Sequence, residues 1–195
     1  DPGCAPGITE GNERVLEGRI EDAEFSFEKD LKVGIEAMAA GLGKVVFHRK
    51  LGTLADKTAR LEALVGKIAG LVSLSELDRK TAGAAARLAK ADQVSIMVQE
   101  FADLEGYMGS VYANLDGYPS DVCTAIEEHF LPTSSGSVMP ATVPVAVLAI
   151  TDKVDNVLGA FAVEAVPTGS TDPIARARAA AALEGPPRPS VFQFD

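Results

Sequence analysis

Apolar residues recur along most of this chain at spacings of three and four positions, with charged residues between them. Between Thr53 and Val72 they include Leu54, Leu61 and Ile68. Because an α-helix has 3.6 residues per turn, this spacing places them on one face of an amphipathic helix. Glycine and proline interrupt such segments, and no stretch alternates convincingly with a period of two, which favours an all-α fold. Further helices are predicted at residues 12–38, 77–101 and 145–165, with shorter segments at 104–113 and 119–129.

The two ends of the chain differ from its centre. Residues 1–10 are rich in proline and glycine, which predicts a flexible segment before a helix capped by Thr9 or Asn12. Residues 184–195 predict a Pro-rich tail, so one helical domain is expected at residues 11–183. The start has neither a methionine nor a signal-peptide pattern, so we expect a trimmed chain or an excised piece of a longer one.

Composition and charge narrow the classes of function. The 195 residues are 47% hydrophobic but only 6% aromatic, with no Trp, which suits helices packed closely through Ala, Leu, Val and Ile. The net charge of −10 argues against an autonomous nucleic-acid-binding domain, although it allows a local basic patch. Cys4 and Cys123 form no CxxC pair and are expected to be free thiols in a reducing cytoplasm. No apolar run reaches the roughly 20 residues that span a bilayer.

Four positions follow the order of an HD-type metal site, in which histidines and aspartates hold divalent ions. His48 follows a short apolar stretch, Asp92 lies within a predicted helix, and Asp152 begins the motif DKVD. Ala91 stands where the paired histidine of such a site belongs, so a nitrogen ligand is absent. The set His48, Ala91, Asp92 and Asp152 is therefore interpreted as a degenerate HD site that holds no metal.

Other polar residues have simpler interpretations than catalysis. Asp92 shares a helix face with apolar residues and should point inward, with Lys90, Lys153 or His48 as its partner. His129 is expected to cap a helix C-terminus, where its charge would complement the dipole. Asp152 and Asp155 could form an acid–base pair, but an exposed polar helix face explains them more simply. The chain has no Walker or GxGxxG motif, so no ATP site is assigned.

Five blocks of sequence, in order, resemble the β subunit of bacterial heterotetrameric glycyl-tRNA synthetase. They are GNERVLEGRIEDAEFSFEKD (11–30), KLGTLADKTAR (50–60), AARLAKADQVSIMVQEFADLEGYMGSVYA (85–113), AIEEHFLP (125–132) and DKVDNVLGAFAVEAVPTGSTDPIARAR (152–178). The last block departs from the family pattern DPFALRRAA, because an isoleucine replaces the aromatic residue and the paired arginines are split. The resemblance therefore does not carry over any contact that needs two adjacent arginines.

The resemblance implies a fold and a role. It implies an HD-domain-like helical bundle with an eroded metal site and no catalytic residue of its own. The α subunit would make glycyl-adenylate, so this chain would bind no cofactor, while the whole synthetase uses ATP and Mg²⁺. The implied partners are the α subunit, tRNA(Gly) and other domains of the β subunit, in the cytoplasm and away from membranes. Two alternatives stay open: a purely structural scaffold domain, and a surviving HD-type metal-dependent phosphohydrolase.

Charge and position suggest which residues would contact tRNA if that role holds. Basic side chains cluster in and around the KLGTL block and near the start of the predicted Asp172-Pro173 helix. The two arginines of that helix could equally be solvated or paired with Glu164, with Asp172 as the cap. The candidate contacts are Arg49, Lys50, Lys57, Arg60, Lys153, Arg176 and Arg178.

Overall fold

Helices make up nearly all of the regular structure, as the periodicity predicts. The computed structural model describes residues 5–134 and 137–163, with side chains from residue 11 onward. Within these residues eight α-helices form a bundle, which confirms the all-α prediction. The helices are α1 (Ala5–Val33), α2 (Ile35–Gly41), α3 (Leu54–Leu71), α4 (Glu76–Leu88), α5 (Ile96–Glu100), α6 (Tyr107–Leu115), α7 (Ser120–Glu128) and α8 (Val143–Ala162).

The core lies where α3, α4, α7 and α8 pack together, with α6 against α7. Its largest fully buried side chains include Leu61, Leu88, Tyr112, Ile126 and Leu148. Five alanines in α4 and the residues just after it have no exposed surface, which lets the neighbouring helices approach closely, as the alanine-rich composition predicts. None of the helices in the described ranges is both long enough and apolar enough to cross a bilayer.

The first predicted helix, residues 12–38, is two helices. Helix α1 already begins at Ala5, before both predicted caps, and it ends where Gly34 adopts a positive φ of 75°. The Asp116 carboxylate accepts a hydrogen bond of 2.7 Å from the Ile35 amide. It thereby pairs one of the backbone N–H groups at the start of α2 that have no acceptor within the helix. A break that depends on a partner 81 residues away has no periodic signal in the sequence.

The helix predicted at residues 77–101 is also interrupted. Helix α4 ends at Leu88, a 3₁₀ turn spans Ala91–Val94, and α5 follows. The Ser95 hydroxyl caps α5 by accepting from the Val98 amide, and it donates to the Asp92 carbonyl. This turn directs the Asp92 side chain into the interior.

A short hairpin before α3 was not predicted, because it is too short to show alternation. It consists of β1 (Val46–His48) paired antiparallel with β2 (Gly52–Thr53). Thr53 then caps α3 in a reciprocal capping box with Asp56. Helix α3 lies within the predicted range of residues 53–72, and α7 and α8 begin within two residues of their predicted starts.

Candidate functional site

A buried ionic cluster joins α3, α7 and α8 to the residues that follow α4. The Asp152 carboxylate of α8 lies between two ammonium groups. Its Oδ1 is 2.8 Å from Lys57 Nζ, and its Oδ2 accepts a hydrogen bond of 3.1 Å from Lys90 Nζ. Burial alone would raise the pKa of Asp152, but the charges of Lys90 and Lys57 outweigh it and hold that pKa below its usual range.

His129 completes this cluster as a neutral base. Its Nδ1–H donates to the Ile126 carbonyl at 2.6 Å, so Nε2 is left to accept from Lys90 Nζ at 2.8 Å. Burial, aided by the charge of Lys90, lowers the pKa of His129 to about 3. The predicted position at the C-cap of α7 is confirmed. The predicted positive charge is wrong, because a fully buried imidazole beside an ammonium does not hold a proton near neutral pH.

Asp155 extends the cluster towards the hairpin. Arg60 donates from Nε to Oδ1 at 2.7 Å and from Nη2 to Oδ2 at 3.2 Å, and its Nη1 donates to the Leu51 carbonyl at 3.0 Å. Lys57 Nζ also donates to Asp155, at 3.1 Å. The exposed polar face predicted for Asp152 and Asp155 is therefore wrong, because both carboxylates are buried and ion-paired.

Asp92 lies in a separate environment. Its Oδ2 accepts hydrogen bonds from the backbone amides of Gly106 at 2.6 Å and Gly109 at 2.9 Å, and its buried Oδ1 has no hydrogen-bond partner. The inward orientation is confirmed, but the bonding partners are backbone amides rather than the predicted side chains. Burial raises the pKa of Asp92 to about 7, assisted by the negative charge of Glu105.

The predicted HD set does not converge on a metal position. His48 Nδ1 accepts from the Lys50 amide in the hairpin turn, Ala91 is a buried apolar residue, and Asp92 bonds to the start of α6. Among residues 11–134 and 137–163, no three His, Cys, Asp or Glu side chains are grouped to hold an ion. Lys57, Arg60 and Lys90 outnumber the two carboxylates of α8, so the cluster already carries excess positive charge. A divalent cation does not fit this donor set.

The candidate tRNA-contact residues separate into exposed and engaged groups. Lys57 is only 2% exposed and is enclosed by carboxylates, so it is not available to a phosphate. Arg60 is partly exposed but bound to Asp155, and Lys153 donates to the carbonyls of Phe130 and Leu131. These three side chains hold helices together. Arg176 and Arg178 lie outside the described residues.

Arg49 and Lys50 belong to the exposed group. Both are solvent-exposed at the turn between β1 and β2, and Lys44 is exposed just before β1. Between Glu36 and Asp56 the chain contains no acidic residue. We call residues 44–53 the basic hairpin. It presents clustered positive charge on a protein whose net charge is −10, and such a surface attracts anions.

The contact between Lys90 and His129 was not predicted from the sequence. Other members of the ionic cluster do have a signal in the sequence. Lys57 lies on the apolar row of α3 with Leu54 and Leu61, and Asp152 and Asp155 continue a buried row of α8. A charged residue at an apolar position indicates a buried ion that needs a partner. Which partner it meets depends on helix packing.

Comparison with known proteins identifies the family. Residues 4–184 match the family described as glycyl-tRNA synthetase beta subunit. The chain is 43% identical over 173 residues to the glycine–tRNA ligase beta subunit of Desulforamulus reducens, covering 89% of this chain and 25% of that relative. It is 42% identical to the corresponding proteins of Lactococcus lactis subsp. cremoris (89% of this chain, 26% of the relative) and a Janthinobacterium species (91% and 25%).

The chain thus spans about a quarter of the length of the curated relatives it matches. Their names agree with the family match and with the five sequence blocks, which lie between residues 11 and 178. The chain belongs to the glycyl-tRNA synthetase beta subunit family.

Proposed function

We propose that this chain is a non-catalytic, HD-like domain of a glycine–tRNA ligase that contributes to binding tRNA(Gly) and to assembly with the α subunit. The observation that carries the tRNA role is the basic hairpin. Arg49 and Lys50 are exposed side by side at its turn, with Lys44 close in sequence and no acidic residue between Glu36 and Asp56. Arginine and lysine bind phosphate oxygens, and such contacts position a protein on RNA without reading its sequence.

The surrounding structure favours a fixed rather than a mobile contact. Arg60 donates to the carbonyl of Leu51 and so ties the hairpin to α3, and Lys57 Nζ lies 4.9 Å from the centroid of the Phe47 ring. Two residues of the buried ionic cluster thus hold the hairpin against α3. A preorganised basic loop loses less conformational entropy on binding a phosphate backbone than a free one.

The ionic cluster supports a structural rather than a hydrolytic role. Lys90 Nζ lies between His129 Nε2 and Asp152 Oδ2, where its charge opposes entry of a second cation. This arrangement weighs against the phosphohydrolase alternative. In the proposed ligase the chain itself binds no cofactor, while ATP and Mg²⁺ act in the rest of a cytoplasmic enzyme.

Replacing Arg49 and Lys50 together by alanine tests the proposal. We expect the affinity for a tRNA(Gly) transcript to fall about tenfold or more at low salt, and the slope of log affinity against log salt to shrink by about 2, since each lost phosphate contact removes about one unit. Anisotropy of labelled tRNA between 50 and 200 mM salt measures both quantities.

The chain offers a matched control in Arg79 and Lys80, an exposed Arg-Lys pair on α4. Replacing that pair by alanine removes the same net charge and should change the affinity only slightly. If the two double variants bind tRNA equally well, the hairpin is not a tRNA contact. If the hairpin variant instead loses association with the α subunit at unchanged tRNA affinity, the scaffold alternative is correct.

A further inference from the structure

The N-terminal part of α1 presents apolar side chains to solvent. Every residue from Gly11 to Asp22 is exposed, including Val15 at 64%, Leu16 at 59% and Ile20 at 65%. We call residues 11–22 the α1 arm. An isolated helical segment of this length is marginally stable in water, because helices gain most of their stability by packing an apolar face.

The apolar positions of the arm continue a row that is packed further along the same helix. Leu16, Ile20, Ala23 and Phe27 follow one another at spacings of four, three and four, which is the repeat of a helix–helix seam. Ala23 and Phe27 pack against the hydrophobic core, and the Phe27 ring stacks on Tyr112 with centroids 5.9 Å apart. The seam is therefore covered at its C-terminal end and uncovered at Leu16 and Ile20 in the described part of the chain.

One side of this seam is acidic. Glu13, Glu17, Glu24 and Glu28 repeat at spacings of four and seven and form a row beside the apolar positions. Residues 11–28 carry six acids against two arginines, and all eight of these side chains are exposed. The arm thus combines an apolar seam with a negatively charged border.

We propose that the α1 arm is a docking site for a basic amphipathic helix of a partner polypeptide. Large aliphatic side chains of the partner cover Leu16 and Ile20, and its Lys or Arg side chains lie along the glutamate row. A second copy of this chain would bring glutamates close to glutamates on a protein of net charge −10, which opposes self-association. RNA is disfavoured by the same negative charge. The arm is thus distinct from the basic hairpin.

A synthetic peptide of three heptads, with leucine at the seam and lysine at the flanking positions, tests the proposal on the full chain. We expect Leu16→Gln combined with Ile20→Gln to weaken binding about tenfold or more, as loss of a central apolar anchor does at interfaces. Glutamine keeps a high helix propensity, so circular dichroism and the thermal midpoint should stay unchanged. Replacing Glu13, Glu17 and Glu24 by glutamine should weaken binding mainly at low salt.

Leu71→Gln combined with Leu77→Gln is the matched control, because both leucines are exposed, at 83% and 70%, but lie outside α1. It should leave binding unchanged. The proposal is overturned if the arm variant binds the peptide as tightly as wild type, or if peptides with scrambled leucines or with glutamate in place of lysine bind equally well. Sedimentation showing a dimer that the arm variant abolishes would overturn it in favour of a second copy.

Discussion

At the scale of single residues, Asp92 and His129 oppose each other in their response to pH. Burial raises the pKa of Asp92 to about 7 and lowers that of His129 to about 3, so each favours its neutral form. The ordinary values are about 3.9 for aspartate and about 6.5 for histidine. Between its ordinary pKa and its pKa in the folded chain, each group binds a different number of protons in the folded and the unfolded state.

The signs follow from which state holds the proton. His129 is protonated only in the unfolded chain between about pH 3 and 6.5, so its contribution to stability is lost as the pH falls through that window. Asp92 is protonated only in the folded chain between about pH 4 and 7, so its contribution is lost as the pH rises. From about pH 4 to 6.5 the two contributions nearly cancel.

Asp92→Asn should remove the opposing contribution of Asp92 and leave the pH dependence of stability that is due to His129. Asparagine mimics the neutral acid, and its oxygen can accept from the Gly106 and Gly109 amides as Asp92 Oδ2 does. We expect the free energy of unfolding of the variant to rise with pH between 4.5 and 6.5 more steeply than that of wild type, by about 1.4 kcal/mol per pH unit. Urea unfolding at three pH values measures the slope.

The exposed Asp103 provides the control, since Asp103→Asn removes the same charge without changing a buried group. Its unfolding curves should run parallel to those of wild type. Parallel curves for Asp92→Asn as well would mean that Asp92 is ionised in the folded protein throughout this range.

At the scale of elements, two glycines with positive φ differ in the space around them. Gly106 and Gly117 both have positive φ values, of 81° and 85°. A Cβ on Gly106 would lie 2.8 Å from Phe130 Cε2, whereas nothing lies within 4 Å of one on Gly117. The centroid of the Phe130 ring in turn lies 4.2 Å from Lys90 Nζ, so a shift of that ring would disturb the ionic cluster.

We therefore expect Gly106→Ala to lower the free energy of unfolding by about 3 kcal/mol or more, and Gly117→Ala by only about 1–2 kcal/mol. The difference reflects the overlap with Phe130 together with the backbone at Gly106, whose ψ of −48° lies outside the left-handed helical region. Chemical denaturation of both variants provides the comparison. Equal losses would show that Phe130 moves aside without cost and that the ψ of Gly106 adds no strain of its own.

At the scale of the whole molecule, stability should be distributed unevenly between the arm and the bundle. Every residue of the α1 arm is exposed, whereas α4 buries four fully enclosed core residues between its neighbours. We expect amides of the α1 arm to exchange with deuterium at least about 100-fold faster than those of the middle of α4, since local opening of a segment that buries little apolar surface costs little.

Hydrogen exchange followed by mass spectrometry tests this prediction on the isolated chain. Adding the synthetic three-heptad peptide should slow exchange in the α1 arm and nowhere else. Protection of the arm equal to that of α4 would contradict the prediction. Repeating the measurement at tenfold dilution would then show whether a second copy covers it.

The sequence by itself determined the helical architecture, the bounds of α3 to within one residue, the position of His129 at a helix end and the family. These features depend on local spacing or on blocks of residues that lie in order along the chain, which is why they are readable without coordinates. The same local information could not find the break at Gly34 or the turn at Ala91–Val94, because both are stabilised by residues distant in sequence or by the burial of Asp92.

The tertiary structure alone decided the ionic character of the interior. Lys90 meets His129 and Asp152, which are 39 and 62 residues away, and Lys57 meets Asp155 at a separation of 98. Because of these contacts Lys57, which was predicted to bind tRNA, is a buried structural residue. His129, which was predicted to be charged, is a neutral base. The physical reason is that burial and the nearest opposite charge set both the accessibility and the protonation of an ionisable side chain, and only the folded chain specifies them.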